Sequence, residues 1–275
     1  MYKSGLKKIV LAAVLTTGAL VNSGCSNQLP DKDPNHIKVG VSAGLEYQVA
    51  QVASKVAKEK FNLEVELITF SDFVVPNESL NQGDLDLNAF QHKPYLDEQS
   101  KQRGYNLVAV GKTFVYPIAA YSKKIKNIEE LPDGVTVAIP NDPTNGGRAL
   151  LLLQKAGLII LKESVGLLPR LTDIVSNSKR LNILELEAPQ LPRVLDDNQV
   201  FLAIINNTFA AQIGLTPNED GLLLEDKDSP YVNLIVARQD NKDSEKVKNF
   251  VKAYQSVEVE NTAERIFKGS AIKGW

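Results

Sequence analysis

The sequence predicts an α/β chain folded as two lobes with a cleft between them. Apolar residues recur with a period of two in some segments and with helical spacing in the segments that follow. This strand-then-helix alternation runs through two rounds, and the strands end in turns rich in Asn, Asp, Pro and Gly. Strands alternating with helices imply parallel sheets, and two such sheets need two cores.

The first round starts at His36, where HIKVGVSAG alternates as a strand. EYQVAQVASKVAKEKF sets Val49, Val52, Ala53 and Val56 on one helical face. LEVELITF is the second strand, NESLNQGD a short helix, and LDLNAF the third strand, which makes a βαβαβ start. The second round opens after YNLVAVGKTFVYPIAAYSKK. The turn LPDG leads to the strand VTVAIPND, the helix RALLLLQKAG and the strand LNILELE. A helix APQLPRVLDD, a strand VFLAIINN, a helix around TFAAQIG and a strand GLLLEDK complete it. YVNLIVARQD then reads as a strand and SEKVKNFVKAYQSVEVENTAERIF as one long terminal helix. Extended crossings near Thr113 to Ile118 and Asp228 to Val232 divide the chain into a first lobe of 36–114 plus 231–275 and a second lobe of 115–230. Ligands in open α/β sheets lie beyond the carboxyl ends of the strands, so facing lobes enclose a cleft there.

Before these lobes stands a segment of a different kind. Lys3, Lys7 and Lys8 precede the apolar run IVLAAVLTTGALV, which closes on Asn22, Ser23, Gly24 and Cys25. That order reads as a secretory signal peptide over 1–24. The run is too short to cross a ~30 Å hydrocarbon core as a helix, which takes about 20 residues. Ser-Gly-Cys resembles the end of a bacterial lipobox, with Asn22 standing where Leu is usual, and so marks Cys25 for acylation. Residues 25–35 follow as a polar, proline-containing tether.

Composition excludes several classes of function. Removing 1–24 takes away three lysines and no acids, which moves the formal charge from −2 to −5 and argues against a nucleic-acid surface. The single cysteine rules out an internal disulfide, a cysteine zinc cluster and a thiol nucleophile within the lobes. His36 and His92 are the only histidines, too few for a histidine-rich metal site, and no metal or cofactor is expected. Neither G-x-S-x-G nor H-E-x-x-H occurs, so catalysis is not expected.

Two stretches carry candidate binding chemistry. In NDPTNGGRALLLLQKAGL a strand ends, turn residues accumulate and a helix begins, whose first N–H groups favour an anion. Arg148 lies near that start. Either its planar fork grips a carboxylate, or it makes a surface salt bridge to a neighbouring acid. Gly146 and Gly147 allow close approach of a ligand, or serve only the turn. In LDLNAFQHKPYL, Phe90, His92 and Tyr95 fall within one turn as an apolar slot with a polar rim, or as ordinary core residues.

These segments also carry a resemblance. HIKVGV, NAFQHKPYL, GYNLVAVGKTFVYPIA, AIPNDPTN, GRALLLLQK, ELEAPQLPRVLDD, EDKDSPYVNLIVAR and the final GW resemble the methionine-binding lipoprotein (NlpA) family over His36 to Trp275. The resemblance implies a bilobal periplasmic-binding-protein fold of type II that clasps methionine and delivers it to the permease and ATPase of an ABC importer. It implies that Asn145 and Arg148 hold the α-carboxylate region and that Asn206 and Asn233 contact the ligand's other backbone groups. Phe73, Phe90, His92 and Tyr95 would line a thioether pocket, and Cys25 would carry acyl chains such as palmitate. The protein would then sit in the cell envelope, lipid-anchored and facing the periplasm or the outside. A surface adhesin of the same fold, or a binder of another small amino acid, is the alternative. Three positions depart from the family pattern: Phe73 where Tyr is common, Gly146 for a larger apolar residue, and Asn207 in INNTF where NTTY is usual.

Overall fold

In a computed structural model of the chain, residues 33–275 are described, except Lys227. Cys25, the signal segment and most of the tether lie outside the described residues. The first lobe begins with β1 (His36–Ser42), α1 (Leu45–Phe61), β2 (Glu64–Phe70), α2 (Val75–Gln82), β3 (Leu87–His92), α3 (Lys93–Arg103) and β4 (Leu107–Val115). The second lobe follows with β5 (Ala119–Tyr121), β6 (Thr136–Pro140), α4 (Pro143–Lys155), β7 (Ile160–Leu161), β8 (Ile174–Ser176) and β9 (Asn182–Leu186). It continues with β10 (Val200–Ile205), α5 (Asn207–Ala210), α6 (Pro217–Asp220) and β11 (Leu223–Leu224). The chain then returns to the first lobe with β12 (Val232–Arg238), α7 (Glu245–Tyr254), α8 (Val257–Ile266) and β13 (Ile272–Lys273).

Each lobe holds one mixed sheet. The first has the order β13-β4-β12-β3-β1-β2 and the second β11-β5-β10-β6-β9. In both, three parallel strands run second, first, third: β2-β1-β3 and β9-β6-β10. An antiparallel strand, β12 or β5, pairs with the third. The repeated topology expected from the sequence is thus present, although the sheets are mixed rather than purely parallel.

Alternation along the strands supplies both faces of each core. On β12, Ile235 and Ala237 pack under α1, α7 and α8, while Leu234 and Val236 pack with Leu80 of α2 and Leu96 of α3. On β6, Val137 and Ile139 face Leu150 and Leu153 of α4, while Ala138 faces Leu191, Leu195 and Phe209. Helices covering both faces explain why these strands read as nearly continuous apolar runs.

Three expected elements differ. APQLPRVLDD forms two 3-10 turns, Ala188–Gln190 and Arg193–Asp196, because Pro189 and Pro192 remove donors that a continuous helix needs. The terminal helix is broken at Gln255 and Ser256. Ser256 adopts the extended backbone of an N-cap (φ −83°, ψ 159°) and starts α8 afresh. GLLLEDK contributes only Leu223 and Leu224 to the sheet, beside β5.

Candidate binding site

The strand ends facing the other lobe supply most of the site. Phe90, Gln91 and His92 end β3, and Asn233 on the antiparallel β12 pairs with His92 at the same edge. Across the cleft, the turn after β6 enters α4 with Asn145 and Arg148, and the end of β10 delivers Asn206, Asn207 and Thr208. With Phe73, Tyr95 and Tyr116 these residues line one cavity. All eight candidate ligand contacts, Phe73, Phe90, His92, Tyr95, Asn145, Arg148, Asn206 and Asn233, therefore meet at a single cavity. Gln91, Tyr116 and Thr208 also line it, although neither periodicity nor turn chemistry singles them out.

One end is aromatic. The rings of Phe73, Phe90 and Tyr95 form a triangle with centroid separations of 6.0 to 6.1 Å. Phe73 also reaches Phe209 of the second lobe, with ring centroids 4.9 Å apart. Tyr95 donates its hydroxyl to the Phe73 carbonyl at 2.8 Å, so this polar atom is engaged by the wall itself. Behind β3, Gln91, Asn77 and Asn88 share a buried amide network, with Asn77 Nδ2 2.8 Å from Gln91 Oε1 and Asn88 Nδ2 2.9 Å from Asn77 Oδ1.

The other end is polar and bridges the lobes. His92 is the N-cap of α3, and its Nδ1 accepts from Tyr95 N at 3.2 Å. Nε2 must then carry the proton, which it donates to Asn145 Oδ1 at 3.3 Å. Burial, reinforced by the Arg148 charge, lowers the His92 pKa to about 3, so the ring is neutral at physiological pH. Asn145 Oδ1 also accepts from Asn206 Nδ2 at 2.8 Å. Asn206 Oδ1 is buried without a hydrogen-bond partner among the described residues, which leaves an acceptor for a ligand donor. Asn233 Nδ2 donates to the Phe90 carbonyl at 3.0 Å.

Arg148 resolves the two readings of its role in an unexpected way. It does pair with an acid, but in the interior: the guanidinium is buried, Nε lies 2.6 Å from Glu225 Oε1, and Nη2 donates to Glu225 Oε2. Nη2 also donates to the Tyr116 carbonyl at 3.0 Å, and the Tyr231 ring covers the group at 4.4 Å. Nη1 makes no hydrogen bond among the described residues. Arg148 is the sixth residue of α4 rather than part of its first turn.

The helix start is not an open anion site either. Asp142 is the N-cap, and its carboxylate accepts from Thr144 N and Asn145 N at 3.2 and 2.9 Å. Its other oxygen orients Asn145 through Nδ2 at 2.9 Å. Gly146 and Gly147 lie inside α4 and serve packing: a Cβ on Gly146 would stand 2.7 Å from the Pro140 carbonyl, and one on Gly147 2.9 Å from the Leu167 carbonyl. Phe90, His92 and Tyr95 likewise do not share one helical turn, since the first two end a strand and only Tyr95 is helical.

A buried carboxyl ties the lobes together beside the cavity. Glu46 of α1 is 3% exposed and accepts a hydrogen bond from the Thr208 hydroxyl across the cleft. Burial raises its pKa to about 7, although the Thr208 bond opposes the shift. Among the described residues no cluster of His, Cys, Asp and Glu is placed to hold a metal ion, and no helix is long and apolar enough to cross a membrane.

Comparison with known proteins places this architecture. The chain is 67% identical over 258 residues to the D-methionine-binding lipoprotein MetQ of Salmonella typhimurium, covering 94% of each chain. It is 66% identical over 262 residues to the protein of that name from Escherichia coli K12, covering 94% of this chain and 96% of the other. A crystal structure of the methionine binding protein MetQ superposes with a TM-score of 0.88 at 68% identity, covering 88% of this chain and 99% of the other. A nutrient binding protein from Burkholderia cenocepacia, bound to methionine, superposes with a TM-score of 0.84 at 50% identity, covering 87% and 100%. Two α/β lobes with mixed sheets are the bilobal periplasmic-binding-protein fold of type II. The family described as NlpA lipoprotein matches residues 37–275, and the chain belongs to it.

Proposed function

We propose that the chain captures methionine outside the cytoplasmic membrane and hands it to an ABC importer, acting as a binder and not a catalyst. The observation that carries this reading is the two-ended cavity. An unbranched apolar side chain with a polarisable sulfur suits the triangle of Phe73, Phe90 and Tyr95, whose one hydroxyl is already engaged. At the other end, Arg148 Nη1 is a donor for a carboxylate, and Asn206 Oδ1 is an acceptor for an ammonium. Asn145, itself bonded to His92, orients Asn206, and Glu225 and the Tyr116 carbonyl orient Arg148. The naming of close relatives after methionine supports the same ligand.

Anchoring by lipid on Cys25 keeps the captured ligand next to the importer's permease and ATPase. Stable anchoring needs more than one acyl chain, each buried methylene contributing ~0.8 kcal/mol. Cys25→Ser moves the protein from the membrane fraction to the soluble fraction, and a variant still membrane-bound after a carbonate wash contradicts the anchor.

Native mass spectrometry of the purified full chain tests the ligand directly. Added methionine is retained with one molecule per chain. Retention of a different small molecule in preference to it, or no adduct at all, overturns the reading.

A further inference from the structure

Among the described residues, Arg148 is the only formally charged side chain lining the cavity; the others are aromatic, amide, hydroxyl or the imidazole of His92. Behind it stands Glu225, the first residue after β11, whose two carboxylate oxygens take Nε and Nη2. That edge is the fork with which an arginine would grip a carboxylate side-on, and here it is occupied from within the protein. Tyr231, at the far end of the same crossing, covers the guanidinium and itself meets His92, with ring centroids 5.0 Å apart. The polar end of the cavity therefore presents one guanidinium end with its charge already compensated, and the Asn206 Oδ1 acceptor without a partner. A ligand with an ammonium and a carboxylate adds no net charge to this neutral, buried place. A ligand whose ammonium is replaced by a hydroxyl can still donate to that acceptor but adds one negative charge, which is costly in a low-dielectric interior.

We propose that Glu225 makes the site selective for zwitterions: by holding the Nε–Nη2 edge it orients Arg148 and cancels its charge, so that a 2-amino acid is admitted and its deaminated 2-hydroxy analogue is refused. This rests on the reading of the cavity as an amino-acid site and adds to it a residue that touches no ligand and acts through Arg148.

The test is calorimetric titration of the wild-type chain and of Glu225→Gln with methionine and with the 2-hydroxy analogue of methionine. Wild type prefers methionine by roughly a hundredfold or more, because the analogue's hydroxyl can pair with Asn206 Oδ1 but cannot cancel the charge of the buried carboxylate. In Glu225→Gln the preference narrows by about tenfold or more, because methionine weakens while the anionic analogue holds or gains. Equal weakening of both ligands, or no change in either, overturns the proposal. Glu225→Asp keeps the charge and shifts the geometry, so it preserves the preference; narrowing there as large as in Glu225→Gln also overturns it.

A measurement on the wild-type chain alone serves if the variants fail to fold. Titrated with methionine and with the 2-hydroxy analogue, that chain shows the preference for methionine stated above, and comparable affinities for the two ligands overturn the proposal. A wild-type chain that binds no methionine instead overturns the proposed function, and is recognised before any variant is compared.

Discussion

Arg148 and Glu225, 77 positions apart, meet in a buried two-point ion pair, with Nε 2.6 Å from Oε1. Because the same guanidinium donates to the Tyr116 carbonyl, it touches both connections between the lobes: 116–118 joins β4 to β5, and 225–231 joins β11 to β12. A ligand bound at Nη1 thus contacts a side chain that is fastened to both connections.

Arg148→Ala is expected to weaken methionine binding by about 2–5 kcal/mol, a factor of thirty or more, and more than truncating any one aromatic. It also strands Glu225, so stability falls by about 3–5 kcal/mol, as in other broken buried pairs. Calorimetry and chemical denaturation measure the two effects, and wild-type affinity in the variant contradicts the assignment.

His92 is expected to stay neutral throughout the physiological range. A base whose folded pKa is depressed contributes stability that is complete above its unfolded value of about 6.5 and lost as pH falls toward about 3. Nitrogen-detected NMR of the imidazole should show the Nε2–H tautomer down to about pH 5. A titration midpoint near 6.5 contradicts the buried bond to Asn145.

Glu46 acts in the opposite direction. Its folded pKa is raised, so its contribution is complete below about 4.5 and lost as pH rises through about 7. Glu46→Gln avoids that loss, and is expected to match wild type near pH 4.5 and to exceed it near pH 8 by at most about 3 kcal/mol. Thermal melts at both pH values check this, and an equal difference at the two values rules it out.

Phe73→Ala removes one corner of the aromatic triangle and the contact with Phe209. Losing that apolar contact is worth about 1.5–3 kcal/mol at full burial, and less here because Phe73 is partly exposed. Methionine affinity is expected to fall by about tenfold, less than for Arg148→Ala. A larger loss than for Arg148→Ala reverses the ranking.

The fold was largely legible because its signals are local. Alternation on β1, the apolar runs of β6 and β12, the helical face of α1 and the Asn141-Asp142 strand end before α4 all lie within short windows. The misread segments turn on single residues: Pro189 and Pro192 broke a helix that apolar spacing suggested, and the extended backbone at Ser256 separates α8 from α7. Asp142 before Pro143 is a recognisable N-cap pair and could have closed the supposed anion site in advance. The partners that tune the cavity could not be found this way. Glu225 joins Arg148 across 77 positions and Glu46 joins Thr208 across 162, and nothing in the neighbourhood of either glutamate distinguishes it from the other acids among 33.

The most direct test of the account is a competition titration against labelled methionine with norleucine and glutamine. Norleucine keeps the length and loses only the sulfur, whose contacts with aromatic rings contribute ~0.3–1.5 kcal/mol, so it should bind within about tenfold of methionine. Glutamine has to place an amide among Phe73, Phe90 and Tyr95 without partners, at a cost of roughly 1–3 kcal/mol beyond the lost apolar contact. The predicted order is methionine, then norleucine, then glutamine well behind. Glutamine displacing methionine as readily as norleucine does, or labelled methionine failing to bind, contradicts the assignment of the aromatic triangle as the thioether pocket.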